Sequence, residues 1–182
     1  MININFLVVM IYNIFIYYIN LSLAKEIIIK NDINNFYNIR NLIVENQNDD
    51  HLILNFIDGY YNFTTFTNQI NFEVMSNITF VGNKEGTIFD YTNNKNGYIF
   101  LQFLENNGYV VTFQNITFQH YHEDINIKGI MIIIVFSKTD NFLVKIENCN
   151  FINNSYPLLY LEVSYNKETN KEPFYIVDNC NF

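Results

Sequence analysis

From residue 25 onward the apolar positions come in short runs, with no helical periodicity. Such runs occupy 26–29, 52–54, 87–89, 98–103, 109–113, 130–136, 143–146, 158–163 and 174–177. They are rich in β-branched and aromatic residues, and clusters of Asn, Asp, Gly and Lys separate them. That is the punctuation of strands and turns, and it predicts an all-β domain over residues 25–182.

One pattern recurs within these runs. Four segments align without gaps: Met75-Ser76-Asn77-Ile78-Thr79-Phe80, Phe113-Gln114-Asn115-Ile116-Thr117-Phe118, Ile146-Glu147-Asn148-Cys149-Asn150-Phe151 and Val177-Asp178-Asn179-Cys180-Asn181-Phe182. Their final phenylalanines, Phe80, Phe118, Phe151 and Phe182, stand 38, 33 and 31 residues apart. Strand-rich units of that period point to a solenoid, with a β-sandwich as the competing fold. Alternation in each leading strand puts Phe113 or Ile146 on one face. The Asn that follows suits a tight corner, because Asn tolerates left-handed backbone better than other non-glycine residues. Beyond the corner, Ile116 and Phe118, or Cys149 and Phe151, turn inward again. Stacked coils would place equivalent positions roughly 4.8 Å apart. The expectation is a column of Phe80, Phe118, Phe151 and Phe182 beside an amide ladder of Asn77, Asn115, Asn148 and Asn179. Scattering of Phe80, Phe118 and Phe151 would count against this register. Each repeat has room for two further strands, hence three strands per coil.

The pattern changes at the N-terminus. Residues 6–19 are apolar except for Asn13, and Ser22-Leu23-Ala24 precedes Lys25-Glu26. Small residues at this spacing are what signal peptidase requires, and Ala24 is the sole alanine of the chain. Residues 1–24 are therefore read as an export signal cleaved after Ala24. An uncleaved membrane anchor is the competing reading.

Composition narrows the options. With 49% hydrophobic, 18% aromatic and 15% charged residues, the chain is too apolar for a disordered protein. The net charge of −8 and the absence of a basic patch exclude nucleic acid as a partner, and an anionic membrane surface likewise. Membrane contact is expected only through an uncleaved signal. Cys149 and Cys180 share a repeat position, and stacked free thiols are favoured over a disulfide. Asn62, Asn77, Asn115 and Asn153 begin Asn-x-Ser/Thr sequons. Asn62 and Asn153 are the better glycan acceptors, because the other two are assigned to corners. His120-Tyr121-His122-Glu123-Asp124 is the densest run of metal-ligand types, yet a solvated turn explains it and Asp49-Asp50-His51 alike. No catalytic residue, metal or cofactor is assigned.

The Asn-Cys-x-Phe corners followed by Asn-Asn, as in Asn148 to Asn154, resemble the right-handed parallel β-helix proteins of the pectate-lyase-like superfamily. The similarity is to the non-catalytic extracellular members. It implies a right-handed three-strand coil and a secreted or cell-surface location. It also implies a structural, adhesive or carbohydrate-binding role toward polysaccharide or a surface protein. Core or rim packing is the favoured reading of Tyr60, Tyr61, Tyr156 and Tyr160, with stacking on sugar rings as the alternative. Lyases of the superfamily need clustered Asp with an Arg or Lys base. Here Arg40 is the only arginine and the acidic residues are scattered. The chain stops at Phe182 in mid-repeat, so an incomplete β-helix is expected. The alternative is a piece of a polysaccharide lyase or glycoside hydrolase whose catalytic coils lie beyond residue 182.

Overall fold

A computed structural model describes residues 24–63, 69–92, 97–121, 132–155, 158–164 and 174–182. The cleavage position Ala24 is the first of these and is exposed; residues 1–23 of the expected signal lie outside them. After β1 (Lys25–Ile29) come a single 3-10 turn (Phe36–Asn38) and helix α1 (Ile39–Asn46). The first coil is β2 (His51–Phe56), β3 (Tyr60–Asn62) and β4 (Ile70–Glu73). The second is β5 (Asn77–Gly82), β6 (Thr87–Asp90) and β7 (Ile99–Phe103). The third is β8 (Val110–Gln114), β9 (Ile116–Gln119) and β10 (Ile133–Ser137). The fourth is β11 (Leu143–Glu147), β12 (Asn150–Ile152) and β13 (Leu159–Val163), and β14 (Tyr175–Asp178) begins another.

Every strand pairs in parallel with its equivalent one coil away. Sheet A is β1-β2-β5-β8-β11-β14, sheet B is β3-β6-β9-β12 and sheet C is β4-β7-β10-β13. The chain is thus a parallel β-solenoid with three strands per coil. The period-two pattern explains it: in β2, β5, β7 and β8 alternate residues are buried, and the three inward faces enclose one core. Three inward columns fill that core. They are Leu54-Phe80-Phe113-Ile146-Val177 from sheet A, Tyr61-Phe89-Phe118-Phe151 from sheet B and Phe72-Leu101-Val135-Leu161 from sheet C.

The columns correct the repeat alignment at its first member. Phe80 pairs with Phe113, not Phe118, and their rings stack at 4.8 Å. Phe118, Phe151 and Phe182 do stack, with centroids 5.2 and 4.9 Å apart. The second-coil counterpart of Asn115-Ile116-Thr117-Phe118 is Gly86-Thr87-Ile88-Phe89, since Thr87 pairs with Ile116 and Phe89 with Phe118. Asn77-Ile78-Thr79-Phe80 is ordinary strand, with Asn77 facing out. Asn-Ile-Thr-Phe satisfies the in–out alternation either inside a strand or just past a corner, so the motif alone cannot choose. Gly86 takes φ +100° at the second-coil corner, as Asn115 takes +58° in the third. A Cβ on Gly82 would fall 2.2 Å from the Asn115 carbonyl oxygen, so only glycine fits beneath that tight corner.

Helix α1 is the second correction, because the sequence pattern showed no helix. Phe36, Ile39 and Ile43 form one short apolar stripe and are at most 1% exposed. The stripe spans too few turns to stand out from a chain so rich in isoleucine. Its placement is informative: α1 lies where a sheet C strand would precede β4 and satisfies the edge of that strand with side chains. Arg40 Nε donates to Asn71 O at 2.8 Å and Gln47 Nε2 to Glu73 O at 3.1 Å; Gln47 Oε1 accepts from Met75 N at 2.9 Å.

Candidate functional site

The tight corners between sheets A and B carry the most regular polar surface. Asn115, Asn148 and Asn179 adopt φ of +58°, +53° and +50°. This geometry turns the chain within one residue and aims the backbone amides at the next coil. Asn115 N donates to Glu147 O at 3.2 Å and Asn148 N to Asp178 O at 3.0 Å. Asn179 Nδ2 donates to Asn148 Oδ1 at 2.5 Å. Asn77 sits elsewhere, its Oδ1 accepting from Val110 N. A second ladder runs on the outer face of sheet B. Asn181 Nδ2 donates to Asn150 Oδ1 at 2.8 Å, and Asn150 Nδ2 reaches Thr117 Oγ1 at 3.4 Å. Beside both ladders the Asn83–Gly86 turn walls a polar groove of about 340 Å³, floored by Asn115, Thr117, Asn148 and Asn150. A second groove of about 350 Å³ lies between Asp49-Asp50 and Asn107–Tyr109.

Cys149 and Cys180 follow the corner asparagines and are free thiols. Each sulfur sits against a carbonyl of its own coil and one of the coil before. Cys149 Sγ approaches Glu147 O and Phe113 O; Cys180 Sγ approaches Asp178 O and Ile146 O. Repeated environments point the two thiols the same way, as weak donors to corner carbonyls. Burial pushes the Cys149 thiol up to about 12, so it is no nucleophile.

The densest polar cluster was not anticipated. Asp90, at the end of β6, has a side chain only 9% exposed. Its Oδ1 accepts from Thr92 N (2.8 Å) and Thr92 Oγ1 (2.5 Å); its Oδ2 accepts from Tyr60 OH (2.9 Å) and Gln119 Nε2 (3.2 Å). His120 Nδ1 lies 3.2 Å from Asp90 Oδ1 and 3.1 Å from Thr92 Oγ1. Burial alone would raise the Asp90 pKa. The donors from Thr92, Tyr60 and Gln119 outweigh it and hold the carboxyl well below the usual carboxylate range. The cluster binds three coils together, since Tyr60 belongs to the first, Asp90 and Thr92 to the second, Gln119 and His120 to the third.

This is not a nucleophile triad. Asp90 and Thr92 approach the same imidazole nitrogen, and the Thr92 hydroxyl already gives its proton to Asp90. Nor is Asp90 a base, because every lone pair meets a donor. The register places Asp90 beside Gln119, so a correct alignment of coils would have revealed the pair. His120, expected in a solvated turn, follows β9 at φ +59° with its side chain 36% exposed, and its ring also meets Asp90. His122, Glu123 and Asp124 lie outside the described residues. Among those described, no group of three His, Cys, Asp or Glu could hold a metal ion.

Of the other expected residues, Asn153 is exposed at the corner after β12, with Ser155 also exposed; Asn62 is half-buried in β3. Tyr61 is fully buried and donates to Ile29 O at 2.6 Å, which removes it as a sugar platform. Tyr60 is 43% exposed with its hydroxyl committed to Asp90, Tyr160 is 41% exposed, and Tyr156 lies outside the described residues. Arg40 is engaged with the β4 edge. Within the described residues no helix is long and apolar enough to cross a membrane. No protein-family model, no curated protein and no solved structure matches the chain.

Proposed function

We propose that the chain is a secreted or cell-surface β-helix protein that recognises polysaccharide or a surface protein through its outer faces and performs no catalysis. We place it, on the same reading, with the non-catalytic right-handed members of the pectate-lyase-like superfamily. Three strands per coil and the Asn-Cys-x-Phe corners support that kinship. The observation that carries the function is the paired ladder on the outside of the coil. Asn148-Asn179 and Thr117-Asn150-Asn181 present carboxamides and hydroxyls beside a groove of about 340 Å³. Such groups match sugar hydroxyls as both donors and acceptors. The chemistry of a lyase or hydrolase finds little support in the described residues: Asp90 is saturated with donors and Arg40 is committed to a strand edge.

A glycan array on residues 25–182, paired with depolymerisation assays, tests the reading. Binding without turnover is the expected outcome. Release of unsaturated or reduced ends from pectin-like polymers would refute it in favour of a polysaccharide lyase or glycoside hydrolase.

A further inference from the structure

The three outer faces of the solenoid differ in chemistry. On sheet A the central outward row is Ile53, Thr79, Thr112 and Lys145, and on sheet B it is Tyr60, Ile88, Thr117 and Asn150. Sheet C is different. One outward row is Asn71, Phe100, Ile134 and Tyr160; the next is Glu73, Gln102, Phe136 and Glu162. Burial alternates along β4, β7 and β10, which places these side chains on the solvent side and Phe72, Leu101 and Val135 in the core. Aromatic and branched side chains on the outside of a strand are not needed by the coil, whose core is complete without them. Phe100, Ile134 and Phe136 are half-buried and Tyr160 is 41% exposed, and contiguous, partly open apolar surface of this kind marks a contact site.

The size of the face says what it contacts. Three strand spacings by about four residues gives roughly 200 Å². A stable protein interface buries about 800 Å² on each partner, so the face is too small to hold a second copy of this chain by itself. It does match a few sugar rings. Charge narrows the ligand further. Glu73 and Glu162 stand on the face, and the chain carries a net charge of −8, so uronate, sulfate and phosphate groups are repelled. Rings flanked by Asn71, Gln102 and Glu162 offer both an apolar platform and hydrogen-bonding partners.

We propose that the outer face of sheet C, centred on Phe100, Phe136 and Tyr160, binds an uncharged polysaccharide by stacking sugar rings on its aromatic side chains. The inference rests on the polysaccharide reading above and adds to it a second surface, separate from the corner ladders, with its own ligand class. The test is affinity electrophoresis of the full chain through gels containing soluble glucan, xylan, mannan or chitin-derived oligosaccharides, with polygalacturonate as the charged counterpart. Retardation by at least one uncharged glycan and not by polygalacturonate is expected. Phe136→Ala and Tyr160→Ala, checked for folding by circular dichroism, should each weaken it about tenfold, the value of one stacked ring. Phe136→Leu serves if the alanine variant does not fold, because it keeps apolar bulk without a ring face. Thr112→Ala on the outer face of sheet A should leave this binding unchanged. Loss with Asn150→Ala but not with Phe136→Ala or Phe136→Leu would overturn the sheet C site while leaving glycan recognition standing. Retardation by polygalacturonate alone would overturn the ligand class. No retardation of the unmodified chain by any glycan would remove both this inference and the polysaccharide reading. A dimer by light scattering that Phe136→Ala dissociates would reassign the face to self-association.

Discussion

At one end of the solenoid, Phe36, Ile39 and Ile43 lie across the first coil and are essentially inaccessible. Phe36 packs edge-on against Tyr61 and Phe63 with centroids 5.0 Å away. At the other end of the described residues, Phe182 is 75% exposed and Val177 43%, although their columns are fully buried one or two coils earlier. Phe118 and Phe182 occupy the same position of the same motif. One is enclosed by rings above and below; among the described residues the other stacks on Phe151 alone. Burial in a solenoid therefore belongs to the stack, not to the residue, and each coil depends on the next one laid upon it. The two ends also differ in how strand edges are treated. The β4 edge is satisfied by Arg40 and Gln47, whereas among the described residues no helix lies over β13 or β14.

The sharpest way to break this contrast is to remove a ring from each end. Phe36→Ala should lower unfolding free energy by about 3–5 kcal/mol, while Phe182→Ala stays within about 0.5 kcal/mol. Urea midpoints measured side by side decide it, and equal losses would mean that the turn-and-helix cap contributes nothing. A second probe is acid. The Asp90 pKa is depressed in the folded chain below its unfolded value of about 3.9, so ionised Asp90 stabilises fully above roughly pH 5 and less as pH falls through 4 and below. Asp90→Asn should remove about 2 kcal/mol at neutral pH and flatten the stability profile between pH 5 and 3. An unchanged profile would show that the carboxylate does not bind the first three coils together.

Smaller effects refine the picture of the edges. Gln47→Ala leaves Glu73 O and Met75 N without their side-chain partners, for a loss of roughly 1.5 kcal/mol. Amide hydrogen exchange at Met75 should speed up accordingly; unaltered protection there would argue that α1 covers β4 by packing alone. At the corners, Asn115→Ala should cost about 1 kcal/mol through its left-handed φ, and Asn115→Gly less than half of that. The same exchange at Asn179, in the uncovered last coil, should register less on global unfolding, and thermal melts of the two alanine variants compare them directly.

Some of this was legible in the residues and some was not. Runs of β-branched and aromatic residues with short Asn-rich gaps identify strands and corners, because both obey local rules of alternation and backbone sterics. The stacking of Phe118, Phe151 and Phe182, and the positive φ at Asn115, Asn148 and Asn179, follow from one motif repeated at nearly constant spacing. Where spacing varies, the motif misleads. The four extra residues 82–85 shift the second-coil corner to Gly86, so Phe80 falls into the column of Phe113. The Asp90 cluster was out of reach for the same reason, since its five members come from three coils and meet only once the register is known.

The chain by itself determined the strand type, the three-strand period and the asparagine corners, all of which depend on contacts within a few residues. Only the tertiary structure decided which coil lies over which, where a helix replaces a strand, and that sheet C turns aromatic side chains outward. Those facts depend on pairing between residues some thirty positions apart. Alternation tells which side chains share a face, but only the closed coil tells which face is the inside.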